Sequence, residues 1–192
     1  MTDARPLLLA NALLVDPAAG TETPGGLLMK GGLITDVGPH LTAGAIGPDV
    51  EVHDCGGRVV APGLVDMRCF VGEPGYEYRE TIASGTAAAA AGGVTTIVCQ
   101  PATDPVIDDP AIVDFLLRRA RDTGVVRFHP MAAITKKLAG REMTEFGLLQ
   151  SAGAVAFTDG ARSVTDALVM RRAMTYARDF DALIVHHTED PA

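Results

Sequence analysis

From residue 59 onwards, short apolar runs alternate with helical segments, and this alternation limits the possible folds more than any other feature of the chain. The runs are rich in β-branched residues and bounded by Gly, Pro or polar turns, as expected for buried strands of a parallel sheet. They cover residues 59–67, 94–99, 125–131, 154–157 and 183–187. Strands that alternate with helices indicate βα units, so we expect the α/β class with a parallel sheet.

Between these strands, the helices are marked by residues that favour helix starts and stops. Residues 81–91 are dominated by alanine, the strongest helix former, and are followed by two glycines. Asp109 and Pro110 stand at the N-cap and first helical positions of a second helix. Two later helices are expected to begin at side chains that can accept a backbone hydrogen bond: Thr144, and Ser163 together with Asp166.

The N-terminal residues have a different pattern, which predicts an all-β segment over residues 1–58 ahead of an α/β domain over residues 59–192. Gly31 and Gly32 predict a tight hairpin, and residues 50–54 predict an edge strand. Short apolar runs separated by turn residues lie at 7–9, 13–15 and 27–30.

Composition and charge exclude several classes of function. The 192 residues are 47% hydrophobic and 21% charged, as in soluble globular domains. A net charge of −8 argues against nucleic acid binding, which needs a basic face, and no run reaches the roughly 20 apolar residues of a membrane span. Cys55, Cys69 and Cys99 form no CxxC motif, which argues against a disulfide framework or structural zinc and for the reducing cytoplasm.

Several sequence stretches, in order and at matching spacing, carry a resemblance to a known family. They are APGLVD and EPG within residues 61–75, TAAAAAGGVTTIVCQP at 86–101, AITKKLAGREMTEFGLL at 133–149, SAGAVAFTDG at 151–160 and HHTEDP at 186–191. The chain resembles the dihydroorotases, which are cyclic amidohydrolases. This resemblance implies the N-terminal part of a metal-dependent-hydrolase (β/α)₈ TIM barrel, about five strands of it, preceded by a small β-sandwich segment. Because a complete barrel usually takes about 250 residues, it also implies a truncated chain.

In that family, zinc activates a water molecule to hydrolyse a cyclic amide bond, which interconverts dihydroorotate and carbamoyl aspartate in pyrimidine synthesis. By the resemblance, the first two histidine ligands of zinc fall on Arg68 and Phe70, and two substrate-binding positions fall on Gly72 and Ala102. A guanidinium stays protonated and has no acceptor, and a phenyl ring offers no lone pair. With four site positions replaced, we expect no catalytic residue and no bound cofactor, although the family uses zinc.

Two positions that carry metal ligands in the family are retained, Asp159 and His187. Catalytic zinc sites use three protein ligands, so the pair is interpreted as vestigial, and Asp159 is more readily a loop carboxylate or an ion-pair partner. If the barrel geometry holds, we expect Arg68 to pair with Asp159 in place of the metal, and Phe70 to fill the remaining space. The alternative is that Arg68 extends to solvent along its aliphatic stem.

Taken with the lost ligands, the resemblance predicts a non-catalytic, dihydroorotase-like protein with a structural or assembly role, for example with aspartate carbamoyltransferase. A barrel that stops after its fifth strand leaves an unpaired edge, so a protein partner or a homo-oligomer is expected. Apolar residues of the last predicted helix would also be left exposed beside the unfinished core: Val169, Met170, Ala173 and Met174. Two alternatives stay open: an active zinc-dependent cyclic amidohydrolase completed by a C-terminal half or another chain, and a fragment with no function of its own.

Overall fold

The chain divides after Pro62 into two units, Met1–Pro62 and Gly63–Ala192. Residues 5–189 are described by the structure, which is a computed structural model. Within this range the first unit is built from strands, and the second alternates strands with helices. No helix of the described range is both long enough and apolar enough to cross a membrane.

The first unit is a sheet in which strands from residues 7–60 pair side by side. The strands are β1 (Leu7–Asp16), β2 (Thr21–Lys30), β3 (Leu33–Gly38), β4 (Glu51–Asp54) and β5 (Val59–Val60). Their order is β3-β2-β1-β4, and β5 also pairs with β1. Gly31 and Gly32 have φ angles of 58° and 78°, which confirms the predicted tight hairpin between β2 and β3. The predicted edge strand is confirmed as β4.

Residues 7–16 form one strand, although the sequence pattern predicted two short runs. The register between β1 and β2 shifts between Leu9 and Ala12, where Asn11 has a φ angle of 52°. A bulge of this kind inserts an extra residue without ending the strand. The separation predicted from the intervening Ala-Asn-Ala was therefore wrong.

Val59 and Val60 belong to the sheet of the first unit, although the sequence pattern assigned them to the first barrel strand. They pair in parallel with Leu13 and Leu14 of β1. The chain then breaks at the Pro-Gly turn, because proline cannot donate a ladder hydrogen bond. The first strand of the second unit begins only at Leu64.

The second unit consists of βα repeats around a parallel sheet, as predicted. Its elements in chain order are β6 (Leu64–Cys69), α1 (Ile82–Ala91), β7 (Val94–Cys99), α2 (Pro110–Thr123), β8 (Arg127–Ala132), α3 (Phe146–Ala152), β9 (Ala156–Phe157) and α4 (Ala167–Arg178). The strand order β6-β7-β8-β9 follows the chain, and all three pairings are parallel. This sheet confirms the α/β class.

The predicted fifth strand, residues 183–187, is reduced to a single parallel bridge between Phe157 and Ile184. The backbone makes two hydrogen bonds there, from Phe157 N to Leu183 O and from Val185 N to Phe157 O, both 2.9 Å long. The following histidines bond instead to residues 163 and 164. The described sheet therefore has four regular strands rather than five.

One face of the parallel sheet packs against the helices and forms the main core. The buried residues come from strands and helices alike: Ile97, Cys99, Phe128 and Phe157 from the sheet, with Val113, Leu116, Phe146 and Leu149 from α2 and α3. The rings of Phe146 and Phe157 lie with their centroids 4.3 Å apart. Because successive strand residues point to opposite faces, the residues between these core positions face away from the helices.

Two predicted helix caps differ from the structure, whereas the others are confirmed. Thr81 caps α1 and Asp109 caps α2 through side-chain hydrogen bonds. Glu145, not Thr144, precedes α3, because the Thr144 hydroxyl donates to the carbonyl of Ala133 at 2.6 Å. Asp166 alone caps α4, and the Ser163 hydroxyl donates to the carbonyl of His187.

The four apolar residues of α4 that were expected to lie beside an unfinished core differ in their burial. Val169 and Ala173 are buried in the core at 9% and 0% exposure, so that prediction was wrong for them. Met170 packs at the edge of the same core, and only Met174 is largely exposed. The four-stranded sheet with its helices already provides a core for the inner face of α4.

Glu73 joins the first loop of the second unit to two helices. Its side chain is buried, with 4% exposure. One carboxylate oxygen accepts a hydrogen bond from the first backbone N–H of α1, at Ile82, over 2.9 Å. The other accepts a hydrogen bond from Nε of Arg119 on α2 over 2.6 Å. The carboxylate therefore caps one helix and ties it to the next.

Candidate functional site

A cavity of about 110 Å³ lies where the carboxyl ends of the four parallel strands meet. Residues near or just after the ends of these strands line it, together with two from the segment after α4: Arg68, Gln100, Met131, Thr158, His186 and His187. Ligand sites of βα proteins are found at this end of the strands, because the loops there vary without disturbing the core. The cavity is therefore the candidate site.

Arg68 is the second-last residue of β6, lines this cavity and is exposed to solvent. Its backbone N–H donates to the carboxylate of Asp66 over 2.9 Å. The ion pairs among residues 5–189 do not include its guanidinium. The structure thus matches the alternative in which the side chain extends to solvent.

Asp159 follows β9 but faces away from the cavity, into the protein. It is 2% exposed, and one carboxylate oxygen accepts the backbone N–H of Thr135 over 2.9 Å. The other oxygen accepts the Thr135 hydroxyl in a short hydrogen bond. The predicted ion pair with Arg68 was therefore wrong, because two neutral donors already satisfy the buried carboxylate.

The other positions at which the family resemblance indicated a lost function lie outside the cavity lining. Phe70 does not fill the cavity, as had been expected; its ring packs against Tyr76 with the centroids 6.2 Å apart, and the residue is 37% exposed. Ala102 is partly buried beside the loop after β7. Neither residue approaches the candidate site closely enough to line it.

Gly72 stands at a position where the backbone leaves no room for a side chain. A Cβ atom there would lie 2.4 Å from the carbonyl oxygen of Tyr76 and 3.0 Å from that of Glu80. The Gly72 carbonyl also accepts the backbone N–H of Tyr76 over 2.6 Å. An arginine could occupy this position only if the loop from Gly72 to Glu80 took another path.

The two histidines of the candidate site have partners of their own. Nε2 of His186 accepts the backbone N–H of Val164 over 3.0 Å. Nε2 of His187 lies 2.7 Å from a carboxylate oxygen of Glu189. The His186 side chain is therefore held by the loop after β9, and the His187 side chain by Glu189, two residues further along its own segment.

These residues do not fit a catalytic zinc ion. Among residues 5–189, no group of three or more His, Cys, Asp or Glu side chains could hold a metal. Of the two retained positions, Asp159 bonds to Thr135 and His187 to Glu189. Arg68 adds a fixed positive charge to the cavity, which opposes the binding of a cation.

Two cysteines occupy matching positions at the ends of adjacent strands, Cys69 on β6 and Cys99 on β7. Complete burial raises the pKa of the Cys99 thiol from 9.0 to about 12. Burial also raises the pKa of Cys69, and the carboxylates of Asp66 and Glu80 add to this effect. Both thiols therefore resist ionisation in the folded protein.

The raised pKa of Cys99 predicts a loss of stability at alkaline pH. An unfolded thiol ionises near pH 9, whereas the folded one stays protonated up to about pH 12. Ionisation of this thiol therefore leaves the free energy of unfolding unchanged below about pH 9. Above that pH it favours the unfolded state, and at pH 11 it lowers the free energy of unfolding by about 2–3 kcal/mol. Urea unfolding below pH 9 and at pH 11 should show that the free energy of unfolding falls less between these two conditions for Cys99→Ala than for the unchanged protein. Equal declines in the two proteins would contradict the assignment to Cys99.

Comparisons with known proteins agree with this architecture. Solved structures share the fold: L-hydantoinase (dihydropyrimidinase) from Arthrobacter aurescens matches with a TM-score of 0.81 at 22% identity, over 96% of this chain and 41% of that one. A dihydroorotase structure matches with a TM-score of 0.64 at 18% identity, over 98% of this chain and 52% of that one. The fold is thus that of the amidohydrolase TIM barrels, of which this chain contains a part, preceded by a β segment.

The sequence comparisons identify the family. The model of the dihydro-orotase-like family matches residues 57–192. Dihydroorotase of Solibacter usitatus is 42% identical over 185 residues, which are 96% of this chain and 42% of the relative. That of Syntrophobacter fumaroxidans is 41% identical over 189 residues, again with 42% of the relative covered. The chain belongs to the dihydro-orotase-like family, and it spans about two fifths of the length of these relatives.

Sequence reasoning missed several residues that form or support the candidate site. Gln100 and Thr158 line it and directly follow β7 and β9. Their polar side chains at strand ends were a usable signal, because such positions converge in a parallel sheet. Thr135, the partner of Asp159, gave no signal, since it is distant in sequence from the carboxylate.

Proposed function

We propose that this chain is a non-catalytic, dihydroorotase-like protein that serves pyrimidine biosynthesis in the cytoplasm through a structural or assembly role. One observation carries the proposal: the cavity at the strand ends contains Arg68, while the retained Asp159 is turned away and bonded to Thr135. A zinc-dependent hydrolase needs several ligands that converge on one point and leave a position open for water. The residues of this site do not provide that arrangement.

Asp159 and His187 are, in this proposal, remnants of an ancestral metal site. The resemblance assigns metal ligands to both positions, and their present hydrogen bonds give each a different use. Asp159 holds Thr135 inside the protein, and His187 bonds to Glu189. At Gly72, one of the substrate-binding positions, the carbonyl of Tyr76 leaves no room for a side chain. This also supports the loss of substrate binding in the proposal.

A catalytic assay with metal analysis tests the proposal directly. We expect no hydrolysis of dihydroorotate above background and substoichiometric zinc after dialysis. The dihydroorotase of Solibacter usitatus, treated identically, is the positive control. Arg68→His combined with Phe70→His should restore no activity, because Gly72 and Ala102 remain. Stoichiometric zinc and turnover that His187→Ala abolishes would refute the proposal.

Similarity to proteins named dihydroorotase, at 42% identity, favours a second candidate: an amidohydrolase completed by another chain. Mixing this chain with the separately expressed C-terminal half of the Solibacter usitatus relative distinguishes the two. Turnover in the mixture with the unchanged chain would favour the completed enzyme. We expect none, because Arg68 and Phe70 supply no zinc ligand to a restored barrel.

A partner is part of the proposal, either a second copy of this chain or another protein such as aspartate carbamoyltransferase. β6 lies at one edge of the described sheet, and an edge strand has unpaired backbone groups that recruit other chains. Large apolar side chains near the two sheet edges are strongly exposed: Leu64 at 62%, Val65 at 57%, Met67 at 70% and Leu183 at 62%. Exposed apolar clusters of this kind mark interaction surfaces.

The association is expected to be visible by sedimentation velocity of the purified chain. We expect oligomers, and we expect Val65→Asp to shift them towards monomer, because the new charge would be buried in the contact. Leu148→Asp is the matched control, since Leu148 on α3 is similarly exposed, at 61%. A monodisperse monomer that unfolds cooperatively, or equal effects of both variants, would contradict the proposed edge contact.

A further inference from the structure

The candidate site has the chemistry of an anion site rather than a cation site. We propose that the cavity at the strand ends binds a small oxyanion, a carboxylate or phosphate group, through the guanidinium of Arg68. This inference deepens the proposed function, because it assigns a ligand to the site that the proposal describes as non-catalytic.

The charges around the cavity favour an anion. Arg68 is the permanently charged residue of the lining, and none of the lining residues is acidic. The nearby carboxylates are turned to other partners: Asp159 to Thr135, and Glu189 to His187. Asp66 accepts the backbone N–H of Arg68. The guanidinium therefore has its planar set of donors available for a ligand.

Neutral groups beside Arg68 can complete the recognition of an oxyanion. The Thr158 hydroxyl oxygen accepts the backbone N–H of Gly160 over 3.0 Å, which leaves its own proton to be donated. The side-chain amide of Gln100 lies next to Gly160, with Oε1 3.6 Å from the position of a Cβ there. Both residues line the cavity with Arg68. A guanidinium can bind a carboxylate or phosphate through two parallel, charge-assisted hydrogen bonds, to which neutral donors can add.

The size of the cavity limits the part of a ligand that it encloses. Its volume of about 110 Å³ equals the share of roughly four water molecules. That space accepts one carboxylate or phosphate group, and the remainder of a larger ligand would extend through the open mouth beside Arg68. The position at the carboxyl ends of parallel strands is where ligands of βα proteins bind.

Titration of the full chain with sodium phosphate and, separately, with sodium malonate tests the inference. Amide shifts of Gly160 and side-chain Nε shifts of Arg68 would be followed by NMR, with sodium chloride holding the ionic strength constant. We expect saturable shifts of both signals with at least one of the two anions. The anion that binds more tightly identifies a phosphate or a carboxylate ligand.

Variants of Arg68 give the decisive comparison. Arg68→Gln should weaken binding at least about tenfold, the loss expected for a charge-assisted hydrogen bond, and Arg68→Lys should recover part of it. Arg172→Gln, an exposed arginine on α4, is the matched control and should leave binding unchanged. Thermal unfolding checks that each variant is folded.

Absence of saturation with both anions, or equal binding by Arg68→Gln and the unchanged chain, would overturn the inference. Zinc measured on the same samples reports on the proposed function instead. Stoichiometric zinc would refute the non-catalytic proposal, whereas a missing anion response without zinc would refute only the anion site. The two failures are therefore distinguishable.

Discussion

Asp159→Ala is expected to lower the free energy of unfolding by about 2–4 kcal/mol. The substitution leaves both the N–H and the hydroxyl of Thr135 without their acceptor. Thr135 is fully buried, so water cannot replace the carboxylate. Each buried donor left unpaired costs about 1–3 kcal/mol. Urea unfolding of the variant and the unchanged chain, at the same pH, measures the difference.

A matched control shows whether the loss of stability is specific to this buried carboxylate or follows from removing any carboxylate. Asp122→Ala removes an exposed acid that pairs with Arg121, with 64% of its side chain accessible, and should cost less than about 1 kcal/mol. Thr135→Val should couple strongly to Asp159→Ala in a double-mutant cycle. Addition of zinc should stabilise neither protein. Equal stability of Asp159→Ala and the unchanged chain would show that the buried carboxylate does not brace the loop at Thr135.

The elements that were predicted correctly are those that local chemistry decides. The bounds of β7 follow from a β-branched run between a glycine pair and Gln100, and the start of α2 follows from Asp109 and Pro110. In each case the residues that fix the element are adjacent in sequence. Propensity and capping act over a few residues, so a single sequence contains the necessary information.

The predictions that were wrong concern residues whose contacts come from distant parts of the sequence. A buried carboxylate at Asp159 was expected to need a cation, but Thr135 supplies two neutral donors from another loop. Val59 and Val60 fit any buried strand, and only the pairing with β1 decides which sheet they join. Such choices depend on which chain segments meet in space, and one sequence does not encode that in its local pattern.

The candidate site was therefore predicted in part. Arg68 and His187 were singled out from the sequence, and both line the cavity at the strand ends. Phe70 was placed there too, but its ring packs on Tyr76 outside the lining. Alternation along a strand would place Phe70 on the same side as Arg68, but β6 ends at Cys69 and no longer fixes the direction of the Phe70 side chain.

Glu73→Ala is expected to destabilise the second unit by about 2–4 kcal/mol, because two helices lose one shared carboxylate. The first N–H of α1 at Ile82 loses its acceptor, and Arg119 of α2 loses its ion pair. Arg119 is 44% exposed, so solvent compensates for part of the second loss. Most of the cost should therefore come from the buried N–H and from the empty space.

Two further variants apportion this loss between the hydrogen bond and the charge. Glu73→Gln keeps an acceptor for Ile82 but removes the charge that faces Arg119, so it should cost roughly half as much as Glu73→Ala. Glu77→Ala is the control from the same loop, because Glu77 is exposed and accepts only the N–H of Gly75. Urea unfolding ranks the three variants. If Glu77→Ala destabilised the chain as much as Glu73→Ala, the loop as a whole, and not the buried carboxylate, would hold α1 against α2.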